Sequence, residues 1–459
     1  MSASLILVLV VVAAYLAAHV AFDWLGRRFL IASGAEYLML GILLGPQLSG
    51  ILSREAVESL APVTTLALGW VGAVVGVQFY LPSLVRVNAI TYGVALTESC
   101  LTFLVVGLLE TLAIGWLSDV PFTVAAAPAA ALAGIATASS SAGVALAARH
   151  LRARGAEVEQ LGISSLVNGT VAVVAFGVIA SIWHPPVFVL GRAITPTEWV
   201  AVTLGIGVVG GILFHLFLGR ESHVDRLFIS LTGGVILVSG AASYVRVSPL
   251  LAALCFGAIL VNTSRSRAEI VAALTRVERP FYFVLLVFAG AAWRPSTSAW
   301  WLPVVVLFLA ARTAGKLGGA RIAARWSGML PVLGPDWGRA LLGQGPLALA
   351  IALSYVYLGG AIPYLVFTAA VVSVLLTDLL SPQLVRSVLA PLIEERQLRS
   401  ARHVAAARAR GAAPRGAPTQ SAAAQNPAPQ SAAPQSAAPQ SAAEAPPGAE
   451  PVPTRPEEA

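Results

Sequence analysis

The chain has 459 residues, of which 57% are hydrophobic and 11% are charged, and its mean hydropathy is +0.80. Soluble domains carry about 25% charged residues, so this composition excludes a water-soluble enzyme. The formal net charge of +7 comes from arginines that lie between apolar blocks, and it therefore predicts no nucleic-acid partner.

The hydrophobic residues occur in separate blocks of about 17–25 residues, each long enough to cross the hydrocarbon core of a membrane. The first block lacks a positively charged start and is followed by further apolar blocks, which favours a membrane span over a signal peptide. We predict thirteen spans from this pattern: residues 3–22, 35–51, 62–80, 88–117, 121–147, 160–183, 198–218, 227–245, 247–263, 280–293, 299–320, 339–358 and 362–381.

Arginines are concentrated in alternate loops between these predicted spans. Fifteen lie in one set of loops and four in the other, and the loops that carry excess Lys and Arg are normally cytoplasmic. The bias predicts a multi-pass protein of the cell (inner) membrane. Its N-terminus is expected outside and its C-terminus in the cytoplasm, as an odd number of spans requires.

The composition changes after Pro391, which separates a transmembrane domain of residues 1–390 from a tail of residues 391–459. The tail begins with arginines and continues as a tract rich in Ala, Pro, Gln and Ser. Such a tract is unable to bury a core, so we predict that it is disordered. The basic stretch is either a plain positive-inside signal or a binding site for anionic lipid headgroups.

Two predicted spans contain small or polar residues in their middle, at residues 134–143 and 343–346. If span seven is a linker, the other spans form two six-helix halves, and the two runs occupy the fifth span of each half. Small residues also allow close helix packing. Broken helices at matching places of inverted repeats, however, mark the binding site of many transporters. We therefore predict two discontinuous helices that cross near Ser139 and Gly345.

Short motifs follow one another along residues 1–390: Leu40-Gly41-Ile42-Leu43-Leu44-Gly45-Pro46, Ala136-Thr137-Ala138-Ser139, Ser164-Ser165-Leu166-Val167-Asn168-Gly169, Val247-Ser248-Pro249, Arg312-Thr313-Ala314-Gly315-Lys316 and Leu376-Thr377-Asp378-Leu379-Leu380-Ser381-Pro382. In order and spacing they resemble the monovalent cation:proton antiporter superfamily, which includes the sodium/proton exchangers. The resemblance implies an all-α membrane fold of two inverted repeats, exchange of Na⁺ or K⁺ for protons, and a homodimer.

The chain departs from this family at three acidic positions. The Asp of the family's unwound helix is Ala138 here, its Glu is Ser164, and the Asp that carries the ion or proton is Gly169. Polar residues of the same motifs remain: Thr137, Ser165 and Asn168. A cation in a low-dielectric interior needs an opposing charge or several oxygens, so exchange through the family's aspartate is not carried over.

Lys316 is the only lysine in the chain, where Lys and Arg together number 29. A buried lysine can lose its proton at accessible pH whereas arginine effectively cannot, and some members of the family have a lysine on this helix. Lys316 is therefore a candidate proton carrier, with Arg312 one turn away. The alternative is a lysine whose ammonium reaches the cytoplasmic interface.

A rise of about 1.5 Å per residue places polar residues of several spans in one layer of the membrane. Glu98, mid-way along span four, is the candidate that replaces the missing carboxylate. The predicted ion-binding residues are Thr137, Ser139, Ser140, Ser165, Asn168, Lys316, Gln344 and Glu98. Other ionisable residues are expected nearer the membrane surfaces: Glu110, Asp378, His19, Asp23 and His215.

Three functions are compatible with these residues. The first is a proton-coupled cation antiporter with a rearranged site. The second is an anion-selective or uncoupled carrier on the same fold, because half-helix N-termini attract anions and the missing acids predict a neutral or basic cavity. The third is a transport-dead membrane scaffold or sensor. Since no nucleotide-binding loop, catalytic triad or metal-ligand spacing occurs, we expect a transporter in the lipid bilayer, neither an enzyme nor a cofactor-binding protein.

Overall fold

The computed structural model describes residues 35–118, 120–153, 155–189, 191–218, 224–264, 266–294 and 300–409. The predicted first span, with His19 and Asp23, lies outside these residues, so the count of thirteen spans stays a prediction. By its internal contacts the chain divides into two units, Met1–Arg396 and Gln397–Ala459.

The described part of the chain is almost entirely helical. Its α-helices are α1 (Ala35–Leu44), α2 (Arg54–Ser59), α3 (Ala61–Gly76), α4 (Leu81–Leu84), α5 (Ala89–Leu117), α6 (Phe122–Thr137), α7 (Ser141–His150), α8 (Ala156–Ile182), α9 (Pro196–Leu218), α10 (Val224–Tyr244), α11 (Pro249–Thr263), α12 (Arg267–Ala292), α13 (Trp301–Trp326), α14 (Leu330–Leu333), α15 (Pro346–Tyr357) and α16 (Pro363–Ala409). A 3₁₀ helix (Trp337–Leu341) precedes α15, and an antiparallel hairpin of β1 (Phe188–Val189) and β2 (Arg192–Ala193) links α8 to α9.

Six of the described helices are long and apolar enough to cross a membrane: Ala89–Leu117, Ala156–Ile182, Pro196–Phe217, Arg226–Tyr244, Trp301–Trp326 and Pro363–Glu394. Four shorter apolar helices, α3, α6, α11 and α15, lie among them. Each predicted span from 35–51 onward coincides with at least part of a helix. The chain is a multi-pass, all-α membrane protein.

The ends of several helices differ from those of the predicted spans, and two helices extend well beyond them. Helix α12 begins at Arg267, well before residue 280, because its first half carries Glu269 and Arg276, which interrupt the apolar pattern. Helix α16 continues past residue 381 and through Pro382 and Pro391. Proline removes one helical hydrogen bond, and neighbouring groups in a helix bundle compensate for that loss. The tract predicted to be disordered lies outside the described residues.

The first predicted discontinuity separates α6 from α7. Helix α6 ends at Thr137, and Ser140 caps α7, its side-chain oxygen accepting a hydrogen bond from Gly143 N at 3.1 Å. Serine side chains compete with helical hydrogen bonds and favour such caps, which explains why the serine run breaks the helix.

The second discontinuity lies between the 3₁₀ helix and α15. Gly345 has φ +70° and ψ −175°, a conformation essentially restricted to glycine, and Pro346 then starts α15 with its fixed φ. The two discontinuities touch, since Ser140 N donates a hydrogen bond to Gly343 O at 2.8 Å. The predicted crossing of two discontinuous helices is therefore confirmed.

The crossing lies in the largest of four hydrophobic cores in the described part of the chain. This core surrounds α6 and α15 and takes further residues from α5, α8, α13 and α16. The second core joins α3, α9, α10, α11 and α12. The discontinuous helices are thus held by a helical scaffold on several sides.

Glycines bring helix backbones into direct contact in that scaffold. A Cβ atom on Gly76 of α3 would lie 2.1 Å from Leu254 O of α11, and one on Gly257 of α11 would lie 2.4 Å from Ala73 O of α3. A Cβ on Gly41 would similarly lie 2.1 Å from Val287 O of α12. The glycine spacing that resembles the family's early signature therefore serves close helix packing.

We expect Gly76→Ala to lower the free energy of unfolding by about 1–3 kcal/mol, because the added methyl group would clash with a backbone carbonyl, which is unable to rotate away as a side chain could. The matched control is Gly205→Ala on α9, where nothing lies within 4 Å of the new Cβ. That change should leave stability unchanged or raise it by up to about 1 kcal/mol. Thermal unfolding in detergent measures both, and equal effects would contradict the packing argument.

Candidate functional site

Four helices bring buried polar side chains to the crossing. The side chains from these helices are Glu98 and Ser99 (α5), Asn168 (α8), Arg312 and Lys316 (α13), and Ser373 and Asp378 (α16). Ser139 and Gln344, from the discontinuities themselves, join them. Such residues are costly inside a membrane and normally face a functional interior. Among the described residues no group of His, Cys, Asp and Glu could hold a metal ion.

Lys316 and Glu98 form an ion pair at the centre of this site. The distance from Lys316 Nζ to Glu98 Oε1 is 3.0 Å, and both side chains are 0% exposed. The ammonium also donates to Thr137 O at 2.8 Å and to Ser139 Oγ at 3.1 Å. Thr102 Oγ1 donates to Glu98 Oε1 at 3.2 Å. The alternative of a lysine at the membrane interface is therefore wrong.

Glycines on either side of Lys316 allow this pair to form. A Cβ on Gly315 would lie 3.0 Å from Thr102 Cα, and one on Gly319 would lie 3.1 Å from Glu98 O. Larger residues at these places would push α13 away from α5. The small residues around the single lysine thus explain how two helices distant in sequence present opposite charges to each other.

Arg312 is 1% exposed and lies beside the same discontinuity. Its Nη2 donates to Ala138 O at 3.3 Å, while Nε and Nη1 are buried and have no hydrogen-bond partner among the described residues. The guanidinium interacts electrostatically with Asp378 and Glu98. Lys316, which donates to Thr137 O, and Arg312, which donates to Ala138 O, place two positive charges at the C-terminal end of α6, where the helix dipole is negative.

Asn168 connects α8 and α5 to the first discontinuity. Its Nδ2 donates to Ser139 Oγ at 3.0 Å, and its Oδ1 accepts a hydrogen bond from Ser99 Oγ. Ser139 Oγ in turn donates to Leu341 O at 2.9 Å. The Ser139 hydroxyl therefore links Lys316, Asn168 and the second discontinuity.

Asp378 and Ser373 on α16 hold the second discontinuity. Asp378 Oδ1 accepts hydrogen bonds from Gln344 N at 2.8 Å and from Gly345 N at 3.1 Å. Ser373 Oγ donates to Gln344 Oε1 at 2.6 Å, and Gln344 Nε2 donates to Ile135 O at 3.1 Å. The start of α15 is thus tied to both α16 and α6.

The hydroxyl groups of the other predicted site residues bond within their own helix or at its cap. Thr137 contacts Lys316 through its backbone carbonyl, whereas its hydroxyl donates to Gly134 O of its own helix at 2.7 Å. Ser165 Oγ donates to Leu161 O of its own helix at 2.9 Å, and Ser140 is a helix cap. A Cβ on Gly169 would lie 3.2 Å from Leu347 Cδ2, so this position faces α15.

The structure corrects the expected surface positions of two acids. Asp378 is 3% exposed and belongs to the crossing, and Glu110 is 0% exposed, with neither carboxyl oxygen bonded within the described part of the chain. His215 is exposed, and its predicted place near the membrane interface stays a prediction. Ser99, Thr102 and Ser373 belong to the site but were not predicted from the sequence. For Asp378 a signal existed, namely a charge within an apolar block.

Known proteins resemble this chain in structure more than in sequence. No family model and no curated protein matches it. A structure of the sodium proton antiporter MjNhaP1 from Methanocaldococcus jannaschii at pH 8 is similar, with a TM-score of 0.62 and 16% sequence identity over 85% of this chain and 98% of that chain. An electron-microscopy structure of the same protein has a TM-score of 0.57 and 16% identity, over 84% and 97% of the two chains. The predicted fold class is confirmed: the chain has the fold of a sodium/proton antiporter.

Proposed function

We propose that this chain is a secondary transporter that exchanges a monovalent cation for protons at the crossing of its two discontinuous helices. The observation that carries the proposal is the fully buried Glu98–Lys316 pair at that crossing. It offers a carboxylate and a proton-carrying amine at a place where the family's own acids are absent. The carboxylate of this site is then Glu98 on α5 and not a residue at the position of Gly169 on α8.

Lys316 Nζ lies where a cation would bind. Its contacts at 2.8–3.1 Å are a carboxylate, a carbonyl and a hydroxyl oxygen, from Glu98, Thr137 and Ser139. Oxygen ligands of this kind suit alkali cations, and a buried cation needs an opposing charge to offset its lost hydration. A sodium or potassium ion therefore competes with the ammonium for the same three oxygens. It binds when Lys316 gives up its proton, and it leaves when the proton returns.

Once Lys316 has released its proton, the charges of the crossing favour a cation as substrate over an anion, because two carboxylates then face a single guanidinium. The basic Lys316 and Arg312 are balanced by the acidic Glu98 and Asp378, and all four side chains are buried. An anion would have to enter beside two carboxylates at a cost of like-charge repulsion. The similarity in fold to a sodium proton antiporter supports sodium as the cation. Four buried charges in a membrane also give little support to a transport-dead scaffold, because such residues mark ion pathways.

We also propose the topology that the arginines predict. The N-terminus then lies outside, and the segment after Pro391 lies in the cytoplasm of the cell that carries the protein in its inner membrane. A homodimer, which the family resemblance implies, is part of the same proposal.

Purified protein in proteoliposomes tests the exchange directly. We expect an imposed pH gradient to drive sodium or potassium flux, and Glu98→Gln to reduce it to the level of empty liposomes. The control is Glu110→Gln, which removes a second buried carboxylate from the same helix about 18 Å away and should retain the flux. Flux of chloride in place of cations, or full activity of Glu98→Gln, would refute the proposed function.

A further inference from the structure

Asp378 occupies the start of the half-helix α15 like a bound anion. Both carboxylate oxygens accept hydrogen bonds from Gly345 N, each at 3.1 Å, and Oδ1 also accepts one from Gln344 N at 2.8 Å. The side chain is 3% exposed. Asp378 belongs to α16 and follows Gln344 by 34 residues in the chain.

The groups around Asp378 favour negative charge at this place. The N-terminus of a helix, here one of 12 residues, attracts negative charge through its dipole and its free N–H groups. Arg312 adds a guanidinium that interacts electrostatically with Asp378, and two of its nitrogens, Nε and Nη1, are buried without a hydrogen-bond partner among the described residues. A helix start and a half-satisfied arginine together would form an anion site if the carboxylate were removed.

We infer that Asp378 is a specificity-determining residue: it is a built-in anion that fills this site and so keeps the crossing selective for cations. The inference rests on the proposed function. A carboxylate held by the chain excludes free anions from the start of α15. Its charge also offsets that of Arg312, so that the negative charge of Glu98 remains available to attract a cation.

The variant Asp378→Asn removes the negative charge of this side chain but keeps its hydrogen-bond acceptor. The amide oxygen still accepts from the N–H groups of Gln344 and Gly345, so the fold should persist, but the negative charge is lost. We expect the KM for sodium to rise by about tenfold with kcat within about twofold, and a chloride leak to appear in the liposomes. Thr377→Val, which removes a hydroxyl bonded only within α16, is the control and should change neither. Unchanged KM and no leak in Asp378→Asn would overturn the inference.

Chemical rescue gives a measurement that does not depend on transport. In Asp378→Ala the two N–H groups lose their acceptor, and we expect formate or chloride to raise the Tm of this variant by several degrees while leaving the wild type unchanged. Equal effects of these anions on both proteins would contradict an anion site. Absence of cation flux in the wild type refutes the proposed function, whereas rescue without that flux still assigns the anion site to Asp378.

Discussion

Lys316→Gln should abolish proton-coupled exchange and lower the free energy of unfolding by about 3–5 kcal/mol, because it leaves the buried Glu98 carboxylate without its partner. The double variant Glu98→Gln/Lys316→Gln should recover most of that stability, since neither charge remains to be buried. It should nevertheless stay inactive. Thermal or denaturant unfolding in detergent and flux in proteoliposomes measure the two effects separately.

Lys316→Arg is the matched control for the Lys316→Gln substitution. Arginine keeps the positive charge beside Glu98 but effectively never releases a proton, so stability should be retained better than in Lys316→Gln while coupled exchange is lost. If Lys316→Gln transported normally while Glu98→Gln were inactive, the carboxylate alone would carry both the cation and the proton. The role assigned to the lysine would then be wrong.

Gly345→Ala should be the most damaging single change at the second discontinuity, with an expected loss of about 2–4 kcal/mol in stability and of all flux. Its backbone at φ +70° and ψ −175° disfavours any side chain, and a Cβ would lie 3.2 Å from Ser140 Oγ and 3.3 Å from Ser140 Cβ across the crossing. Relief of that strain would move the N–H groups away from Asp378. Flux and Tm of the purified variant check the prediction.

The control for Gly345→Ala is Gly359→Ala. Gly359 also has a positive φ, of +73°, but nothing lies within 4 Å of a Cβ built on it. We expect a loss of about 1–2 kcal/mol from backbone strain alone, with transport retained. Equal damage by the two substitutions would show that backbone strain, and not the geometry of the crossing, explains the effect.

The sequence predicted the fold well because the strongest signals are local. Apolar blocks long enough for a membrane gave the helices, and the serine run before Ser141 and the glycines around Gln344 weaken a helix wherever they occur. Helix ends were predicted less well, as the early start of α12 shows. Its charged first half is a regular helix that hydropathy alone does not reveal.

The candidate site was predicted in part, and the missing part depends on tertiary packing. Lys316 and Glu98 stood out as charges within apolar spans, but only the approach of α13 to α5 shows that they meet. Asp378 is a charge of the same kind, but its place near the end of an apolar block predicts a surface position. Nothing in the sequence indicates that it turns towards Gly345. Ser99 had no signal, since a serine in a membrane helix usually bonds to its own backbone.

The balance of four charges at the crossing has a consequence for the energy source of transport. Lys316 and Arg312 together cancel Glu98 and Asp378, and a sodium ion that takes the place of the Lys316 proton leaves the sum at zero. A membrane potential of 100 mV acts with about 2.3 kcal/mol on each elementary charge that moves through it. The net charge of the crossing is zero both with sodium bound and with Lys316 protonated, so the membrane potential does no work on either state. Under the proposed exchange of one sodium ion for one proton, transport would be electroneutral, so that the two ion gradients alone and not the membrane voltage would set its direction.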